Sequence, residues 1–237
     1  MTTDPRPKRF YKVAAAERLG DAWTVALDAR TIKTPERNAL ALPTRGLAEA
    51  IAAEWDSQGS NIDLLSLHLT RLANVAIDRA PETRDGLADE LARYCETDLL
   101  CHIAEEPEEL VALEEGHWAP VRDWAADVLG VILVTTEGVR AAPQPDASLE
   151  AARDYALSLD DFRLTGLVFA CALYGSALLA MAVCEGAVAA EEAFEMSVID
   201  QTWQAARWGE DEEATAALEA KREEAKAIGR WFRGLAK

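Results

Sequence analysis

The sequence predicts an α+β protein: a small N-terminal β-rich domain with one helix over residues 1–68, then a larger, mostly α-helical domain over 69–237. Two changes of pattern carry this. Apolar residues around Trp23, Val25 and Leu27 alternate with a period of two, as a strand with one covered face requires. Past about Thr70 the spacing becomes helical and largely stays so, and residues 164–184 carry no charge, as a helix at the centre of a bundle would. With half of its 237 residues hydrophobic and 28% charged, the chain has the composition of a protein that folds around a full core.

Taken in order, Phe10, Tyr11 and Val13 open an extended segment, and Trp23, Val25 and Leu27 alternate with Thr24, Ala26 and Asp28 in a half-buried strand. A turn is expected at 28–30, extension resumes at Ile32, 35–38 read as a second turn, and Leu40 and Leu42 form a third short strand before Pro43. This is a small β meander. Thr44 suits the N-cap of a helix whose Leu47, Ile51 and Trp55 share one face, with Gly59 as its C-terminal stop. Residues 61–67 read as extended, and His68 ends that segment.

In the helical part, Leu72, Val75 and Ala76 mark one apolar face, and Leu87, Leu91, Tyr94 and Cys95 another. Pro107, Glu108 and Glu109 suit a first helical turn, since proline lacks the donor that would be orphaned there and carboxylates favour the positive end of the dipole. That helix should bury Trp118, Val121, Trp124, Ala125 and Val128 and end at Gly130. Residues 131–135 are a β-branched extended run, and Pro143 and Pro145 punctuate a loop. Residues 164–184 are long enough for a membrane span, but acidic flanks at Asp160, Asp161 and Glu185 and many small residues favour one central helix of a bundle. Helices are expected over 191–208 and 211–232, the second burying Leu218, Ile228 and Trp231.

Charge narrows the partners. Lys plus Arg number 24 against 42 Asp plus Glu, and a net charge of -18 repels a phosphate backbone, so neither nucleic acid nor an anionic membrane is an expected partner. Such charge also keeps a protein in solution while it exposes an apolar surface. Cys95, Cys101, Cys171 and Cys184 lack the spacing of a secreted disulfide framework and are expected to be reduced. Residues 1–8 hold no apolar signal core and are too short and proline-containing for an amphipathic import helix, so a cytoplasmic protein is expected, bacterial or already processed.

Catalytic patterns are absent. There is no Gly-rich phosphate loop, nucleophile elbow or zinc-protease helix, and His68, His102 and His117 stand in no catalytic setting. No catalytic residue, metal or cofactor is therefore expected. An alternative is an enzyme using the carboxylates Glu96 and Asp98, with a metal at Cys95, Cys101 and His102, although the spacing is poor for zinc and the carboxylates read better as caps. Gln204, Trp208 and Gly209 lead into Glu210, Asp211, Glu212 and Glu213, an aromatic rimmed by charge, which is the composition of a protein-binding hot spot and also that of an ordinary helix start.

Several segments together resemble one family. Arg9-Phe10-Tyr11-Lys12, Leu27-Asp28-Ala29-Arg30-Thr31-Ile32-Lys33-Thr34-Pro35 and Glu54-Trp55-Asp56-Ser57-Gln58 resemble the assembly chaperones of the ATP synthase F1 sector that act on its alpha subunit, the ATP12 chaperone family. Tyr94-Cys95-Glu96-Thr97-Asp98-Leu99-Leu100, Leu173-Tyr174-Gly175-Ser176 and the stretch from Gln204 through Trp208-Gly209-Glu210-Asp211 follow in the family's order, so the likeness spans about Arg9 to Glu213. Ala29 stands where the pattern often has glycine. The resemblance implies a β-rich domain joined to a helical one and a protein that holds the free alpha subunit until the beta subunit replaces it, without catalysis or cofactor. It also implies partner-binding at Glu210, with Asp211, Trp208 and Gln204 beside it, and a structural role for Trp55; the free protein is expected to be a monomer.

Overall fold

In the computed structural model, residues 6–209 and 211–236 are described. The described residues pack as two compact units: those within 1–82 and 230–237, and those within 83–229. The packing therefore divides elsewhere than the change of periodicity near residue 68. The secondary structure is α+β, with a small N-terminal sheet followed by helices.

The first unit opens with an antiparallel sheet of β1 (Ala14–Leu19), β2 (Ala22–Leu27) and β3 (Arg30–Thr31), in that order. Strand β2 is central. Thr24, Val25, Ala26 and Leu27 are all buried, so it is covered on both faces and not on one, as the alternation predicts. Thr24 and Ala26 are small enough to be enclosed on the second face. The sequence of β1, with three alanines, a glutamate and an arginine, reads as helix-forming; register pairing with β2, from Ala14 against Leu27 to Leu19 against Ala22, decides otherwise. The third expected strand survives as isolated bridges, Lys33 with Ala39 and Trp23 with Leu42, with Leu40 and Leu42 fully buried.

Helix α1 (Arg45–Asp56) packs on β1 and β2 and begins as expected, Thr44 accepting a hydrogen bond from Leu47 N at 3.2 Å. It ends at Ser57 in the right-handed region, so Gly59 is not its stop. Residues 64–66 form a single 3-10 turn capped by Asp63, not an extended run, and His68 begins helix α2 (His68–Asp78). The segments carrying the family likeness interlock here. The Arg9 guanidinium donates to the carbonyls of Asp56 and Gln58 at 2.9 and 2.5 Å, satisfying orphan acceptors after the end of α1. Tyr11 Oη donates to Trp55 O at 2.6 Å, and Trp55 Nε1 to Thr70 Oγ1 at 3.0 Å. Glu54, buried, accepts from Leu69 N and Thr70 N at 2.8 and 2.9 Å and so caps α2 from another helix.

The second unit holds most of helix α3 (Ala80–Glu96), a two-stranded parallel pairing of β4 (His102–Ile103) with β5 (Thr136–Glu137), and helix α4 (Glu108–Leu129). Leu110, Glu114, Trp118, Val121 and Ala125 form the buried stripe of α4, whereas Val128 is 60% exposed; its face lies one step round the helix. Helix α5 (Asp146–Ser158) follows the proline loop and has no counterpart in the sequence expectation. The uncharged run is two helices, α6 (Asp161–Tyr174) and α7 (Ala177–Glu185), where one was expected. Gly175, at φ 65°, turns the chain through a conformation that costs other residues about 1–2 kcal/mol, and Ser176 caps α7 through Leu179 N. Every residue of α7 from Ala177 to Cys184 is buried, so its leucines each contribute roughly 1.5–3 kcal/mol. Residues 191–208 likewise divide, into α8 (Ala190–Ser197) and α9 (Ile199–Trp208), and helix α10 (Glu212–Leu235) ends the chain. Among the described residues no helix is long and apolar enough to cross a membrane.

Candidate functional site

Asp98 lies wholly buried between α3 and the short 3-10 turn at 99–101. Its carboxylate accepts from Ser176 Oγ at 2.7 Å, Leu178 N at 3.0 Å and Leu100 N at 3.0 Å. It thus caps two helical starts at once, one of them α7, and the segments 94–100 and 173–176 meet through it. Burial pushes its pKa up to about 6, against the pull of those donors. Glu96 is exposed and takes no part.

The candidate metal ligands are arranged for packing. Cys95, Cys101, Cys171 and Cys184 are free and buried, and burial raises the thiols of Cys95 and Cys101, the latter to about 12, away from the thiolate a metal needs. His102 faces Gly138 O, with its Nδ1 at 3.3 Å. Among the described residues no three His, Cys, Asp or Glu side chains converge as a metal site.

Gln204 and Trp208 lie on α9, and Asp211 stands before α10. Glu210 lies outside the described residues. Only Ile199 of α9 is buried; the helix packs against α4, and the rest of its residues are half-buried or exposed. Trp208 is 74% exposed and meets Trp203 edge to face, ring centroids 6.0 Å apart. Arg207 stacks over Trp203 with its guanidinium 3.9 Å from the ring centre, and approaches Glu109 at 3.9 Å. Gln204 donates to both carboxylate oxygens of Asp200, at 2.8 and 2.9 Å, and Asp211 accepts from Ala214 N at 2.9 Å as the cap of α10.

Asp200, Trp203, Gln204, Arg207 and Trp208 border a groove of about 1200 Å³ inside the second unit. Buried Leu110, Trp118 and Tyr174 contribute to its lining, Trp203 and Trp208 bring aromatic surface from α9, and Glu105, Glu106 and Asp200 bring carboxylates. Burial raises the pKa of Glu114, also in the lining, although Ala104 N donates to it at 2.8 Å. A second hollow of about 510 Å³ shares Gln201, Gln204, Trp208 and Lys221 with the first and continues past Asp211 to Leu218. Sequence reading missed Trp203, Arg207 and the 104–114 side; two tryptophans within one short amphipathic helix were the available signal. Shape and lining suit a peptide or protein surface better than a small metabolite, whose sites are generally 300–1,000 Å³ and more enclosed.

Residues 8–126 match the family described as ATP12 chaperone protein. Over 224 residues the chain is 26% identical to the protein atp12, mitochondrial, of Schizosaccharomyces pombe, covering 89% of this chain and 77% of that one. The crystal structure of Atp12 from Paracoccus denitrificans is 38% identical and superposes with a TM-score of 0.88, over 97% of this chain and 99% of that one. An Agrobacterium tumefaciens structure is 33% identical with a TM-score of 0.91, over 99% of this chain and 88% of that one. Sequence and fold agree over nearly the whole length, and the chain belongs to the ATP12 chaperone family.

Proposed function

We propose that this protein is a molecular chaperone for assembly of the F1 sector of ATP synthase, binding the free alpha subunit and preventing its aggregation until the beta subunit replaces it. The observation that carries the reading is membership of a chaperone family, supported by near full-length superposition on Atp12 from Paracoccus denitrificans. An unassembled subunit of an obligate ring exposes an apolar interface large enough to aggregate. A chaperone that binds this interface more weakly than the true neighbour does is displaced downhill, so grip alone suffices and no bond-making is assigned to this chain. The net charge of -18 suits the task, since it keeps a molecule with an open aromatic surface from associating with itself.

Glu210, Asp211, Trp208 and Gln204 are the residues we assign to the client. Incubating the protein with unassembled alpha subunit should suppress light scattering and give a co-eluting complex; undiminished scattering and separate elution would end the reading. Glu210→Lys should weaken that complex about tenfold or more while leaving the circular dichroism unchanged. Wild-type affinity in this variant would remove Glu210 from the contact surface.

A further inference from the structure

The geometry points to the specificity of the α9 groove: we infer that it receives an amphipathic segment of the client with at least two apolar anchors, flanked by Lys or Arg. The inference rests on the chaperone reading above and says which surface acts and what chemistry it selects. Its first support is the double hollow. Both cavities are lined by Trp208, so an occupant spanning them places apolar side chains beside an exposed indole. Trp208 itself is held by the edge-to-face contact with Trp203, and a large aromatic with few rotamers anchors a partner at low entropic cost.

Charge complementarity selects the flanks. Among the described residues, Glu105, Glu106 and Asp200 line the larger hollow against two formal bases, Arg207 and Lys221. Arg207 is already engaged, its guanidinium on the Trp203 face and near Glu109. An acidic flank would meet like charge beside a partly desolvated surface, whereas a basic one is attracted during encounter and held at the rim. The Gln204 amide cannot offset this, because its donors are spent on Asp200.

The test uses two labelled synthetic helical peptides of about 18 residues, five turns long, with one apolar face in common and flanks of Lys in one and Glu in the other. Fluorescence anisotropy against the intact protein should show the Lys-flanked peptide binding at least about tenfold tighter, with Trp208→Ala weakening it about tenfold. Glu105→Lys combined with Glu106→Lys should erase most of the preference, and higher salt should shrink it as exposed charges are screened. Equal binding of the two peptides, no binding of either, or full affinity in Trp208→Ala would overturn the inference. Trp208 is exposed, so its removal leaves the core intact, which circular dichroism verifies. Alpha-subunit scattering, measured in parallel, separates the two claims. If wild type and Trp208→Ala protect the subunit equally, the groove assignment falls and the chaperone stands. If wild type protects nothing while the peptide preference persists, the function falls and the groove's specificity stands.

Discussion

Asp98 and Glu54 are buried carboxylates that the fold holds with backbone donors in place of counter-ions. Glu54 receives Leu69 N, Thr70 N and Thr70 Oγ1, and Asp98 receives Leu100 N, Leu178 N and Ser176 Oγ. Each sits where a helix begins, and the unsatisfied N–H groups there carry the positive end of the helix dipole. Desolvation still wins at Asp98, whose pKa rises from the ordinary 3.8 to about 6. Between those values the folded state binds more protons than the unfolded chain. The carboxyl's contribution is therefore greatest below about pH 4 and declines by about 3 kcal/mol as pH rises to 6, flat thereafter. Urea midpoints of wild type and Asp98→Asn should accordingly draw apart in the variant's favour across that window; parallel profiles would show that the carboxyl is not held up.

At the scale of elements, the decisive event is the break between α6 and α7. A continuous helix over 164–184 would satisfy its own backbone, yet Gly175 leaves the right-handed region and Ser176 and Asp98 receive the first donors of the new helix. Nothing crowds a Cβ at Gly175, so its substitution tests backbone conformation alone. Gly175→Ala should destabilise by about 1–2 kcal/mol, read from urea unfolding; an unchanged midpoint would mean the turn tolerates a side chain. The break also exposes Gly175 and Ala172 to the α9 groove, which both residues line.

For the whole molecule, the C-terminal residues complete the N-terminal unit. Gly46 and Gly234 let α1 and the end of α10 approach until a Cβ on Gly46 would stand 3.1 Å from Gly234 O, and Thr44 Oγ1 donates to that same carbonyl. Trp231, Phe232 and Leu235 are buried there, so the β-rich unit lacks part of its core until the last residues arrive. Trp231→Ala should cost about 3–5 kcal/mol, measured as a lowered urea midpoint. A loss under about 1 kcal/mol would show that the tail only covers the unit and does not complete it.

Chemistry confined to a helical turn or two is legible in the residues themselves. Thr44 caps α1 and Gly130 ends α4 because a cap depends on residues within one turn, and helical spacing after Thr70 reports a face that must be covered by something. Gln204, Trp208 and Asp211 stand out by composition and family likeness, since an aromatic beside acid is a local feature. Long-range contact decided the rest. β1 is a strand only because β2 pairs with it, the second face of β2 is buried only because the fold covers it, and Asp98, a local cap of the turn at 99–101, comes to cap α7 as well only when Ser176 and Leu178 arrive about 80 residues later. The groove itself gathers side chains from Thr97 to Lys221, and no window of sequence contains a concave surface assembled from segments that far apart.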